Sequence, residues 1–340
     1  MPFVYSVRGP HSNPKDLNKS SNSSQFEVTG GDKIFTAGGY VIHMFTSVGD
    51  AKLTVKPRNN SYANTAGLLA NSLNYVEYLV VGGGGAAGSR HGGGGGAGGM
   101  IVGSTALPAA AYPIVTAAGG PGIQGDSVGN NGQSSTFNGA IALGGGGGGS
   151  WGAGDSGNTG ASAGGGSGGT VPGRAATQPA TPALVGSIGY GNPSAGCLYP
   201  GPFLSAGGGG GAGAAAITST GSPNAGGNGG SGRANSITGT NYFWAGGGGG
   251  GVWNGNAGGN GGAGGAGGAV GSAGPGSRGL AGPGGINAGQ DGLGPYGAND
   301  TNTTGGSAGA NTGSGGGGTN QSPSLGGNGG PGIVVIRYPR

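Results

Sequence analysis

Apolar residues fall into a few short runs separated by long stretches that have almost none. Residues 33–36, 40–46 and 51–55 are rich in β-branched and aromatic types, and Gly38-Gly39 and residues 47–50 punctuate them, a pattern that predicts three strands. In Tyr40-Val41-Ile42-His43-Met44-Phe45-Thr46 the alternation of apolar and polar positions is imperfect. That suits a strand covered on both faces, with neighbouring subunits as one expected cover. Val76-Glu77-Tyr78-Leu79-Val80-Val81 is a stronger strand signal and runs directly into glycine, and Ile333-Val334-Val335-Ile336-Arg337-Tyr338 matches it at the far end. The two should pair or share a sheet, closing a long low-complexity segment between them. Ahead of the first strands, Ser, Asn and Lys predominate around isolated anchors such as Phe3, Tyr5, Phe26 and Val28. The expected organisation is an extended attachment arm (1–32), a small β-module (33–81), a glycine-rich domain (82–332) and a closing strand (333–340).

Composition changes what the middle segment can be. Of 340 residues, 100 are Gly and 6% are charged, against about 7% and about 25% in ordinary domains. Neither a normal core nor a normal solvated surface can be built from this. Disordered chains of low hydrophobicity carry high charge and few aromatics. Here the charge is missing, yet 3 Trp, 11 Tyr and 7 Phe are kept, which argues for an ordered structure.

Glycine runs recur at 82–85, 92–96, 144–149, 207–211, 246–251 and 315–318, and residues 258–269 repeat with a period of three. Three residues per turn is the polyproline II period. Collagen is excluded, because the phase of the repeat slips and many triplets carry two or three glycines. A lone glycine chain in this conformation has no internal hydrogen bonds and loses more entropy on ordering than any other. It must satisfy its N–H and C=O groups on neighbours, so a bundle of parallel and antiparallel polyglycine II helices is expected. Pure runs, holding Gly146, Gly209 and Gly248, are the structural glycines. Those at 144–149 and 246–251 should be interior, and Gly-Gly-Asn and Gly-Gly-Ala tracts peripheral. A six-glycine run would span about 19 Å, with loops at the bundle's ends. The fold class is therefore mainly β and irregular: a small β-module, a polyglycine II bundle, framing strands and almost no α-helix.

Candidate chemistry is sparse. The net charge of +4 is spread without a basic run, so nucleic-acid binding is not expected. No stretch of about 18 apolar residues occurs, and no apolar run follows Arg8, so neither membrane insertion nor a secretory leader is expected. Cys197 stands alone and can form no intrachain disulfide. The segment Gly83-Gly84-Gly85-Ala86-Ala87-Gly88 satisfies a dinucleotide fingerprint literally, but no helix-forming stretch and no acidic residue follow at the required spacing. His11, His43 and His91 lack a second ligand two to four residues on. Past residue 81 the acidic residues are Asp126, Asp155, Asp291 and Asp300, too scattered for a carboxylate pair. No catalytic activity, metal or cofactor is expected. Aromatics gather in the loops between runs: Trp151, Tyr190, Tyr199, Phe203, Tyr242 and Tyr296 are the candidate contact residues. Trp244 and Trp253, flanking a pure run, read as packing at its ends.

Two motifs carry a resemblance. Glu77-Tyr78-Leu79-Val80-Val81-Gly82-Gly83-Gly84-Gly85 and the ending Gly330-Pro331-Gly332-Ile333-Val334-Val335-Ile336-Arg337-Tyr338 resemble the framing motifs of glycine-rich tail-fibre and adhesin-like proteins of bacteriophages. Tyr112-Pro113-Ile114-Val115-Thr116-Ala117-Ala118-Gly119-Gly120 and the stretch from Ser134 into Gly144 look like inner strands of that family. The resemblance implies a virion protein, a tail fibre or tail-tip adhesin assembled in the host cytoplasm and exposed on the particle. It implies host recognition through a surface glycan or an outer-membrane protein. The arm would hold other virion proteins, and self-association as a homotrimer is expected, as fibres are commonly stabilised that way. The alternatives are a capsid decoration or filament subunit without a receptor, and a bacterial glycine-rich surface protein.

Overall fold

The computed structural model describes residues 26–57, 72–152, 156–197, 204–218, 225–253, 257–272, 277–294, 302–321 and 323–340. The β-type runs form strands: β1 (Phe26–Thr29), β2 (Lys33–Ala37), β3 (Tyr40–Phe45), β4 (Gly49–Pro57), β5 (Ser72–Val81), β6 (Met100–Pro108), β7 (Ala110–Thr116), β8 (Ser135–Phe137) and β9 (Ala140–Ala142). Shorter pieces follow at β10 (Ile188–Tyr190), β11 (Leu204–Ser205), β12 (Arg233–Asn235), β13 (Tyr242–Trp244) and β14 (Val252–Trp253), and β15 (Ile333–Pro339) ends the series. Among the described residues there is no α-helix, and none that is long and apolar enough to cross a membrane.

The longer strands make two antiparallel sheets, five-stranded β1-β4-β7-β8-β9 and six-stranded β10-β6-β5-β15-β3-β2. The framing strands pair: Val334 lies opposite Val80 and Arg337 opposite Glu77, which puts β15 between β5 and β3. The sheets stack, because Phe26, Leu53, Ile114 and Phe137 of one share a buried cluster with Phe45, Val80, Ile101 and Val334 of the other. The six-stranded sheet has a second buried face. There Ile42, Met44, Leu79, Val81 and Val335 pack against Ile237, Trp244 and Ala245.

Three details differ from the sequence reading. β3 is covered on both faces as its imperfect alternation implied, but elements of its own chain supply both covers, where neighbouring subunits were one expected source. β1 falls within the segment read as arm, and its Phe26 is part of the core. β6 carried no clear strand pattern because Gly103, Ser104 and Thr105 interrupt its apolar positions; a Cβ at Gly103 would strike the Tyr78 hydroxyl.

The glycine runs leave the sheet strands as extended rods. Residues 92–99 show how they pack. Gly92, Gly95 and Gly98 donate to the carbonyls of Thr319, Gly316 and Gly313. Gly93, Gly96 and Gly99 donate to Gly149, Gly146 and Leu143, and Gly94 and Ala97 to Gly207 and Gly210. These N···O distances run from 2.8 to 3.0 Å. Every third amide returns to the same neighbour, as a three-residue screw requires. The first two neighbours run antiparallel and the third parallel. Three further rods donate back: Gly82, Gly85 and Gly88; Ser162 and Gly165; Gly248 and Gly251. The 92–99 rod thus has six neighbours and is buried throughout. Rods 82–88, 245–251 and 313–319 are each ringed by six others in the same way.

This is a hexagonal lattice that glycine's missing side chain makes possible, and it also admits small residues such as the buried Ala86, Ala87 and Ala97. An unpaired amide in so dry an interior would cost about 1–3 kcal/mol, so the lateral bonds have to form together. At the periphery the third residue of Gly-Gly-Asn turns outward: Gly226, Gly227, Gly326 and Gly327 are buried, Asn228 and Asn328 exposed. The Gly-Gly-Ala tract, also expected at the periphery, is interior instead: Ala266 and Ala269 are fully buried, because a methyl is small enough to fit between rods. The outward asparagines still serve the lattice, since Asn228 Oδ1 accepts the Asn260 amide at 2.8 Å and Asn328 Oδ1 the Gly122 amide at 2.6 Å.

Candidate functional site

Because β5 continues into the 82–88 rod and the 92–99 rod leads back into β6, the turn between them stands about 20 Å beyond the sheets. Arg90 and His91 make this turn with φ of 53° and 50°. Four separate segments deliver side chains here. Trp151 follows run 144–149, Trp253 follows run 246–251, Gln321 follows run 315–318, and His91 precedes run 92–96. The His91 ring lies 5.8 Å from the Trp151 ring and 5.6 Å from the Trp253 ring. Its Nε2 is 3.0 Å from Gln321 Oε1. Arg90 and Asp126 form an ion pair beside it.

His91 is only 5% exposed. Burial, helped by the Arg90 charge and opposed by Asp126, pushes its imidazole down to about 4, so the ring is neutral at pH 7. With Nε2–H donating to Gln321, His91 Nδ1 has no partner among the described residues, and neither do the buried Trp253 Nε1 and Thr319 Oγ1. Three orphaned polar atoms near one end of a molecule whose other buried groups are largely paired mark where packing is not optimised for stability. This end is therefore an aromatic cluster around a neutral imidazole, with the Arg90–Asp126 ion pair beside it.

The candidate residues divide accordingly. Trp151 is at this far end and half-buried. Tyr190, in β10, and Tyr242, in β13, are half-buried at the sheet end, where the Arg233 guanidinium sits 3.9 Å over Tyr190 and Trp244 meets Tyr242 edge-on. Tyr199, Phe203 and Tyr296 lie outside the described residues. Trp244 is fully buried under the six-stranded sheet. Trp244 and Trp253 therefore close opposite ends of one rod. Gly146, Gly209 and Gly248 are buried in rods, and a Cβ on any of them would come under 3.0 Å from a carbonyl oxygen of Asn158, Gly95 or Gly316 respectively.

The fingerprint at residues 83–88 donates all its amides to neighbouring rods, leaving none to cradle a phosphate. His43 is structural in its contacts: Nδ1 meets Gly30 O at 2.6 Å and Nε2 meets the Tyr338 hydroxyl at 3.1 Å, while burial lowers its pKa.

A second cluster went unseen in the sequence because its members are far apart there. Directly opposite in the β5–β15 ladder, Glu77 and Arg337 form an ion pair. Tyr75 donates to Glu77 Oε1 at 2.7 Å, and that bond pushes the phenol up to about 12, so it stays protonated. Arg337 also donates to the carbonyls of Ser236 and Ile237 at 3.2 and 3.4 Å and lies 4.4 Å over the Tyr40 ring.

Compared with known proteins, the chain matches a family model described as a glycine-rich domain over residues 59–306, well over half its length. No curated protein matches it.

Proposed function

We propose that the chain, which belongs to the glycine-rich domain family, is a structural protein of a bacteriophage particle, a fibre or tail-tip adhesin. It meets the host surface with the far end of its glycine bundle. The observation that carries this reading is the gathering of His91, Trp151 and Trp253 at the end remote from the sheets. A bundle locked by main-chain bonds is a stiff spacer, and loops at its tip can change without disturbing the lattice. Aromatic clusters of low charge suit recognition surfaces, here for a host glycan or outer-membrane protein. The framing motifs around Val81 and Ile333 support the virion assignment by resemblance. In this reading the N-terminal arm binds other virion proteins and the particle carries the protein as a homotrimer.

Imaging of intact particles with a label on this chain tests the assignment: density on fibre or tail tip is expected, and absence from the particle contradicts it. Because Phe26 belongs to the core, the deletion that tests attachment stops at residue 25. It should leave a folded protein that no longer enters virions. One observation favours the receptor-free alternative, a decoration or filament subunit: His91 at the centre of the cluster is only 5% exposed and the Trp253 Nε1 is buried, so much of the cluster faces inward. Trp151→Ala decides between the two, since host adsorption should fall at least tenfold for an adhesin and stay unchanged for a decoration.

A further inference from the structure

On its second face the six-stranded sheet extends past Leu79 and Val335, beyond the cover of Trp244, to the opposed pair Glu77 and Arg337. A cavity of about 320 Å³ opens to solvent there, at the small end of the range for ligand sites. Its polar wall is Tyr75, Glu77, Asn235 and Arg337, with Ser104 exposed at the mouth. Val102, Ile188 and Ile237 supply an apolar wall.

The charges in this cavity are already matched. Glu77 receives both Arg337 and Tyr75, and Arg337 is further tied to two carbonyls and the Tyr40 ring. An anion drawn to Arg337 meets the Glu77 carboxylate beside it, and a cation drawn to Glu77 meets the Arg337 guanidinium, so either gains a full partner only by breaking the pair. Breaking a partly buried pair leaves an uncompensated charge and is strongly unfavourable. A neutral polyol faces no such penalty. It can use the lone pairs that remain on Glu77 and on the Tyr75 hydroxyl and the donors of Asn235 and Ser104, while Val102 and Ile188 take its C–H face. From this we infer that the cavity is a binding site for a neutral saccharide of one or two rings.

The inference does not rest on the virion reading, since the cavity lies at the sheet end and its test needs only purified protein. Galactose, glucose and N-acetylglucosamine are titrated against the full chain by saturation-transfer NMR, with N-acetylneuraminic acid as the anionic comparison. Saturable binding of at least one neutral sugar, with a dissociation constant on the order of 1 mM, is expected. Ser104→Trp, which fills the mouth, should weaken it at least tenfold. Ile188→Trp, at a side chain that is 50% exposed, serves as a second blocking variant should the first fail to fold. Absence of saturable binding by every neutral sugar, preference for the anionic sugar, or binding unchanged in a folded blocking variant would each overturn the proposal.

Discussion

At Gly248 an added Cβ would fall under 3.0 Å from the carbonyl oxygen of Gly316, a backbone atom held by the lattice itself. At Gly169 no atom of the described residues lies within 4 Å of the same addition. Gly248→Ala is therefore expected to lower stability by about 3 kcal/mol and Gly248→Val to abolish folding. Gly169→Ala should stay within about 1 kcal/mol of the parent, as thermal melts would show. His91 gives a second contrast. Its folded pKa of about 4 lies below the ordinary 6.5, so between these values the unfolded chain binds a proton that the folded one does not. The stability tied to neutral His91 is complete above about pH 6.5 and is lost as pH falls towards 4. The loss is about 3 kcal/mol, at about 1.4 kcal/mol per pH unit. Asn tolerates the left-handed φ of 50° at position 91, so His91→Asn should flatten that slope in melts at pH 4 to 7, with the contribution of His43, also lowered by burial, left in place. Sequence alone showed His91 as a histidine with no second ligand nearby in the chain. What it could not reveal is that Trp151 and Trp253, each more than fifty positions away, converge on it.

Among the elements, β15 has the most to hold. It sits between β5 and β3, and its alternate residues enter both buried clusters, Val334 and Ile336 on one side, Ile333 and Val335 on the other. Removing residues 333–340 should leave a chain without a cooperative melt. A milder cut, Arg337→Ala, strands Glu77 and frees two carbonyls; since the pair is about a fifth exposed, a loss of about 2 kcal/mol is expected, measurable by denaturant titration. The framing strands were legible because two six-residue runs, apolar or aromatic except at Glu77 and Arg337, abut glycine at either end of the glycine-rich segment. β1 was not, because Phe26 and Val28 stand alone in a polar stretch. β6 was hidden because a glycine made necessary by Tyr78 broke its apolar pattern.

In the whole molecule a β-sandwich of ordinary chemistry seeds a bundle of unusual chemistry. Strands β5, β6, β7, β8, β9 and β15 all continue as rods, so the sheet registers fix which glycines meet, and the order of the lattice is inherited from side-chain packing. The period of three and the runs of pure glycine made the bundle legible; they could not say which rods are neighbours, because glycine carries no side chain to encode it. That information lies in the strands and in outward residues such as Asn228 and Asn328, which complete the lattice at its rim. The central claim is that these rods are ordered by lateral main-chain bonds. Native-state hydrogen exchange resolved at residues 92–99 and 246–251 tests it most directly. Amides there should exchange as slowly as those of β15; exchange at the rate of an unstructured glycine peptide would contradict it.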